Sequence, residues 1–218
     1  MKTRATMQLK IHEIFYSLQG ESSRVGLPTV FIRLTGCPMR CVYCDTAYAF
    51  NGGKNLTIDN ILAQVESYGA QTVTVTGGEP LAQKNCHVLL KALCDLGYSV
   101  SLETGGAIDI RQVDERVSII LDIKTPASGE SKNNLWANYA HLTMKDEIKF
   151  VICNRDDYEW SKTMIDEYAL ISKSPILFSP VYDSLKPAEL ADWILADKLR
   201  VRMQVQLHKI LWGEVPGK

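Results

Sequence analysis

The sequence predicts an α/β fold, a partial, open β/α barrel on a mostly parallel sheet, formed by residues 1–218 as one domain. Three observations carry this expectation. Runs rich in β-branched and aromatic residues alternate with segments whose apolar residues recur at helical spacing, the pattern of β/α units with right-handed crossovers. About six such units can be counted, fewer than the eight of a closed barrel. The 218 residues, 46% of them hydrophobic, suffice for one good core, and no linker, repeat or low-complexity segment divides them.

Residues 10–18 mix apolar and polar side chains like a strand, which Gln19-Gly20-Glu21 ends in a polar turn. Residues 29–35 read as the next strand and deliver the chain through Gly36 into a cysteine loop at about 36–46. After a Gly52-Gly53 turn, Ile58, Ile61, Leu62, Val65 and Tyr68 mark one face of a helix, with Thr57 as its N-cap. Residues 72–76 form a short buried strand, Leu89, Leu90, Leu93 and Leu96 a helix closed by Gly97, and 99–104 another strand. Strands over 118–123, 147–153, 175–179 and 201–207, with helices over 156–170 and 187–197, continue the alternation. Ligands of such sheets collect at the C-terminal strand ends. Polar groups stand at five of these ends: the cysteine loop, Thr76-Gly77-Gly78-Glu79-Pro80, Glu103-Thr104, Asp122-Ile123-Lys124 and Ser179-Pro180-Val181-Tyr182.

Cys37, Cys41 and Cys44 are spaced C-x3-C-x2-C, with no fourth cysteine or histidine near enough in sequence to complete a tetrahedral set. A structural zinc site wants four closed ligands, so zinc fits poorly. Three thiolates on an iron–sulfur cubane would leave one iron with an open position for a small molecule. Cys86, Cys94 and Cys153 read as core packing, and His12, His87 and His141 as structural. His208, expected at the end of the last strand, is better placed to reach a ligand.

The cysteine loop, with Tyr43 just before its last cysteine, resembles the signature of radical S-adenosylmethionine (SAM) enzymes. That resemblance implies a 4Fe-4S cluster on Cys37, Cys41 and Cys44, with SAM chelated at the open iron and cleaved to a 5'-deoxyadenosyl radical. The cofactor carries the hard chemistry and the protein positions it. Gly78 and Glu79 resemble the superfamily's glycine-glycine-glutamate motif for the SAM amino group. Tyr43, Cys44 and Asp45 would border the adenine, and Asp122, Ile123, Lys124, Ser179, Pro180, Val181 and Tyr182 would add further SAM contacts.

More narrowly, Leu18-Gln19-Gly20-Glu21, Phe31-Ile32-Arg33-Leu34-Thr35-Gly36-Cys37, Cys44-Asp45-Thr46, Thr76 to Pro80 and Leu207-His208-Lys209 resemble the 7-carboxy-7-deazaguanine synthase family, in order and over nearly the whole chain. The resemblance implies a ring contraction of 6-carboxy-5,6,7,8-tetrahydropterin to 7-carboxy-7-deazaguanine with loss of ammonia, SAM being regenerated. It also implies Mg2+ at Thr46, substrate contacts from Leu18, Gln19, Gly20, Arg33, Thr76 and His208, a homodimer, and a flavodoxin-type electron donor. Arg33 supplies a planar fork suited to a carboxylate. Asp122-Ile123-Lys124 stands where many relatives carry Ser-Pro-Lys, and Ser179-Pro180 where they carry Gln-Pro.

Lys+Arg 24 against Asp+Glu 25 gives a net charge of -1, which excludes a global basic field for nucleic acid or anionic membranes. No apolar run has the length of a signal peptide or membrane span, and six cysteines without a disulfide-like framework suit a reducing compartment, so a cytoplasmic protein is expected. Two other functions remain open on the residues alone: a radical SAM activase that places a glycyl radical on a partner protein, and a non-catalytic iron–sulfur carrier. The first leaves Arg33 and the Gln19 turn unexplained, and carriers normally use four cysteines per cluster.

Overall fold

In a strand buried on both sides, side chains alternate between two faces, and this chain uses the alternation to separate an apolar layer from a polar one. The computed structural model describes residues 4–213, 215 and 217. Its strands are β1 (Gln8–Leu18), β2 (Pro28–Leu34), β3 (Lys54–Thr57), β4 (Thr72–Gly77), β5 (Ser99–Thr104), β6 (Ser118–Ile123), β7 (Glu147–Ile152), β8 (Ile176–Pro180) and β9 (Arg202–Met203). They form one sheet in the order β3-β1-β2-β4-β5-β6-β7-β8-β9, parallel from β2 to β9, with β1 antiparallel to both its neighbours. The sheet is open, as expected, and among the described residues no helix is long and apolar enough to cross a membrane.

One face of the sheet, including Ile32, Val75, Leu102, Leu121 and Phe150, packs beneath α1 (Ile58–Ser67), α2 (Cys86–Asp95), α3 (Arg155–Glu167) and α4 (Pro187–Ala196) in a single core. The helices start where the chain can cap them. Thr57 accepts from the Asn60 amide on α1, and Asn154 from the Asp157 amide on α3. The opposite face carries Arg33, Thr76, Glu103, Asp122, Lys124 and Lys149 and lines a cavity. Two crossovers, 105–117 and 124–146, contain only short turns, stabilised by the buried side chains of Asn138 and Asp146 on backbone groups.

The loop between β1 and β2 spans the N-terminal ends of the strands. Arg24 donates to Ser99 O at 3.0 Å and Val100 O at 3.3 Å, and the Ser23 amide donates to Glu147 at 2.9 Å. Ser22 N donates to Gln204 Oε1 at 2.9 Å and Leu207 N to Gly20 O at 3.0 Å, so this loop also ties the first strands to the segment after β9. It thereby floors the cavity that the open sheet leaves.

Several boundaries differ from the sequence expectation. The strand expected over 201–207 is only Arg202–Met203, because after Gln204 N bonds to Phe178 O the chain turns toward Gly20 and winds into α5 (Leu207–Trp212). His208 therefore lies in the first turn of a helix and not at a strand end. Strand β3 was not expected; its four residues carry no strand pattern and owe their conformation to pairing with β1. Cys86 and Cys94 are buried as expected, whereas Cys153 is half-buried and outside the core.

The floor loop yields a stability prediction. Arg24→Ala removes two charge-assisted bonds to the start of β5 and is expected to cost about 1.5–3 kcal/mol, read as a lower urea midpoint at unchanged m-value.

Candidate active site

The parallel register of β2 on β4 sets Arg33 opposite Thr76 and Leu34 opposite Gly77, which brings the cysteine loop beside the Gly77-Gly78 turn. Both glycines are required by this approach. A Cβ on Gly77, at φ 143°, would lie 2.3 Å from Leu34 O, and one on Gly78 would lie 2.3 Å from Gly36 O and 2.8 Å from the Cys37 Cβ. The Glu79 amide completes the join by donating to Gly36 O at 2.9 Å.

The three loop cysteines are free, half-buried and line a cavity of about 550 Å³. Burial raises all three thiols, Cys41 to about 11. At neutral pH they are protonated in the metal-free chain, and metal binding must displace their protons. Among the described residues no three His, Cys, Asp or Glu side chains converge on one ion position. A single-ion site such as zinc needs that convergence, but a cubane does not, because its thiolates bind different irons. The loop thus fits a cluster better than a lone metal.

Arg33 extends from β2 into the cavity. Its Nε donates to Glu13 Oε1 at 2.7 Å, its guanidinium carbon lies 5.6 Å from the Phe15 ring and 5.8 Å from the Tyr48 ring, and Tyr48 Oη donates to Glu13 at 3.0 Å. Its two terminal nitrogens make no hydrogen bond among the described residues. Thr46 Oγ1 donates to Asp45 Oδ1 at 2.9 Å, and although Thr46 holds the N-cap position of the turn Ala47–Phe50, its side chain caps nothing.

The wall opposite the cysteine loop is polar. Gln19, 2% exposed, donates to Thr74 Oγ1 at 3.1 Å and to Glu103 Oε1 at 3.3 Å, while its own oxygen accepts from the Glu21 amide. Thr76 Oγ1 donates to Glu103 Oε2 at 2.8 Å. Burial, reinforced by the charge of Glu21, raises the Glu103 carboxyl. Lys149 pairs with Glu21; burial opposes the charge of each, yet their attraction wins and holds Glu21 low and Lys149 high. Lys124 pairs with Asp122 at 2.9 Å.

Of the residues singled out from the sequence, Leu18, Gln19, Gly20, Arg33, Thr76 and His208 line this one cavity with Tyr43, Asp45, Thr46, Gly78, Asp122, Lys124 and 179–182. His208 packs so close to Gly20 that a Cβ there would lie 2.1 Å from its Nδ1. Two do not line it. Ile123 is 1% exposed and belongs to the core, as the strand alternation requires. Glu79 is wholly buried behind the turn, accepting from Thr104 Oγ1, Gly105 N and Leu81 N at 2.9–3.1 Å. Lys149 escaped the sequence reading, Glu21 was read only as part of the Leu18-Gln19-Gly20-Glu21 turn, and Glu103 only as one of several polar strand ends. A lysine between Ile148 and Phe150 in a buried strand was the available signal, since a charge there needs a partner.

An open, mostly parallel β/α sheet with a three-cysteine loop at the end of its first parallel strand defines the class, and residues 31–169 match the radical SAM superfamily. The chain is 48% identical to the 7-carboxy-7-deazaguanine synthase of Chlorobaculum tepidum over 209 residues, 94% of each chain. It is 40% identical to that of Koribacter versatilis, over 94% of this chain and 97% of that one. The crystal structure of QueE from Escherichia coli has the same fold, with a TM-score of 0.74 at 24% identity over 94% of this chain and 96% of that chain. The protein is a radical SAM enzyme that belongs to the 7-carboxy-7-deazaguanine synthase family, whose cofactors are a 4Fe-4S cluster and SAM.

The geometry separates the six cysteines. Changing Cys37, Cys41 or Cys44 to Ala is expected to abolish cluster retention, and changing Cys86, Cys94 or Cys153 to spare it. Iron and sulfide counts after anaerobic reconstitution check this.

Proposed function

We propose that this chain converts 6-carboxy-5,6,7,8-tetrahydropterin to 7-carboxy-7-deazaguanine with loss of ammonia, regenerating SAM, inside the cavity between the cysteine loop and the β1–β2 loop. The observation that carries the reading is Arg33: a guanidinium fixed through Nε by Glu13, its two terminal nitrogens left to form a fork toward the cavity. Such a fork matches a carboxylate bidentately, and an aromatic ring on either side limits its freedom. Cysteines 37, 41 and 44 would hold the cluster, and when bound the cluster and SAM supply the radical chemistry.

The other roles follow from what each side chain offers. The backbone around Leu18, Gln19 and Gly20, with Thr76 and His208, lines the side of the cavity suited to the pterin's donor and acceptor edge. Because the Gln19 amide is engaged internally, its side chain acts by orienting Glu103. Glu103, half-buried and in no ion pair among the described residues, is our addition to the substrate contacts. Tyr43, Cys44, Asp45, Gly78, Asp122, Lys124, Ser179, Pro180, Val181 and Tyr182 would contact SAM, Ile123 only through its backbone. Glu79 would act on the SAM amino group through the turn it braces.

Thr46 would ligate Mg2+, a hard cation that takes few protein oxygens and fills its octahedron with substrate and water. The idle capping position of its hydroxyl supports that assignment over a purely structural one. The chain would act as a single domain over 1–218, as a cytoplasmic homodimer reduced by a flavodoxin-type donor, without nucleic acid or membrane partners.

Anaerobic incubation of the reconstituted enzyme with reductant, SAM and the carboxypterin is expected to release the deazapurine; its absence from an enzyme with a full cluster would reject the reading. Arg33→Lys keeps the charge but loses the fork, so KM for the pterin is expected to rise about tenfold or more with the cluster intact. Thr46→Val keeps the shape and deletes the oxygen, and is expected to shift the magnesium dependence of turnover without changing SAM binding. Coincident magnesium curves would leave Thr46 no role at the metal.

A further inference from the structure

Cys41 lies between two backbone amides that the same neighbouring segment takes up. The Arg40 amide donates to Glu130 Oε1 at 2.7 Å, and the Val42 amide donates to the Ser128 carbonyl at 3.0 Å. Segment 124–130 follows β6 and is itself held from α3. Asp157, 1% exposed, accepts from Thr125 Oγ1 at 3.0 Å, Ala127 N at 3.0 Å and Cys153 N at 3.1 Å. Ser128 Oγ donates to Thr125 O at 2.6 Å and accepts from the Glu130 amide at 3.0 Å, and Glu130 Oε2 accepts from Asn133. Neither Asp157 nor Glu130 lines the cavity.

The start of the loop has other anchors. Ahead of Cys37, Gly36 N donates to Ala49 O and Glu79 N to Gly36 O, both at 2.9 Å. Both residues flanking Cys41 are exposed, Val42 to 81%; the Arg40 guanidinium lies 4.3 Å over the Phe50 ring and donates to the Cys37 and Met39 carbonyls at 2.7 Å, which ties it to the start of the loop and leaves the backbone amides at 40 and 42 to their own partners. The backbone on each side of Cys41 is held by segment 124–130.

We propose that Glu130 and Asp157 are positioning residues for Cys41. Glu130 grips the loop directly, through a carboxylate-to-amide bond stronger than a neutral one. Asp157 fixes the segment that presents both Glu130 and the Ser128 carbonyl. The brace orders the loop before iron arrives, so that cluster assembly does not have to restrict a mobile backbone at the same time as it forms its bonds. The inference rests on the family's cluster and is independent of the substrate.

The test uses the full-length chain before and after anaerobic reconstitution, comparing the parent with Glu130→Ala, Glu130→Gln and Asp157→Asn. In the metal-free state, Glu130→Ala is expected to speed amide exchange over residues 38–44 by about tenfold, and iron uptake during reconstitution to slow, at an unchanged thermal midpoint. Glu130→Gln, which keeps an acceptor oxygen, is expected to restore most of both. Asp157→Asn is expected to speed exchange in both 38–44 and 125–130. Parent-like exchange or parent-like iron uptake in Glu130→Ala would overturn the proposal, as would a loss confined to the thermal midpoint. Exchange changes in Asp157→Asn restricted to α3 would remove Asp157 from it. A parent that takes up no iron would instead fail the cluster assignment itself.

Discussion

The approach of β4 to β2 without side chains in the way is the constraint on which the site depends. At Gly77 and Gly78 the chain passes so near Leu34, Gly36 and Cys37 that a single Cβ would meet backbone atoms at 2.3 Å. Backbone cannot yield as a side-chain tip can, so this contact is available only to glycine. Its consequences spread outward. The parallel register puts Arg33 beside Thr76, the Glu79 amide closes on Gly36, and Glu79 itself is carried to the position where Thr104 and Gly105 hold it. Three strand ends are thus joined at one point before any cofactor enters.

Around that point the chain places charges where a stable core would have none. Arg33, Lys124 and Lys149 face Glu21, Glu103 and Asp122 across one cavity, on a sheet whose other face carries the apolar core. Burying such groups is unfavourable unless each finds a partner. Lys149 has Glu21, Lys124 has Asp122, and Arg33 has Glu13. The β1–β2 loop makes this possible, because Gln19 and Glu21 arrive from it, and the loop is itself pinned to the far strand ends by Arg24. The fold's closure and its polar lining are therefore one device.

The sequence disclosed the parts that depend on local chemistry. The cysteine spacing, the glycine pair and the alternation of apolar runs each follow from short-range rules, and the open parallel sheet follows from their number and order. What stayed hidden depends on residues far apart in the chain. Strand β3 exists because β1 offers it an edge, α5 because Gly20 accepts from Leu207, and the role of Gln19 in orienting Glu103 because the two meet across 84 positions. The expectation for 201–207 failed for the same reason: a β-prone run gives strand only as far as a partner strand extends, and β8 pairs with just two of its residues.

Glu103 shows how the lining prepares for a ligand. Glu21 is held low by Lys149, whereas Glu103 is pushed up by burial and by that same Glu21 charge, with Gln19 and Thr76 its side-chain donors among the described residues. Its ionised form is therefore the less compensated of the two. A ligand that brings hydrogen-bond donors to this wall stabilises the carboxylate and draws its pKa down. A ligand that brings a carboxylate in place of donors meets repulsion here and attraction at Arg33. The cavity thus sets two opposed groups in one lining: Arg33 with donors for an acid, Glu103 with an acceptor for donors.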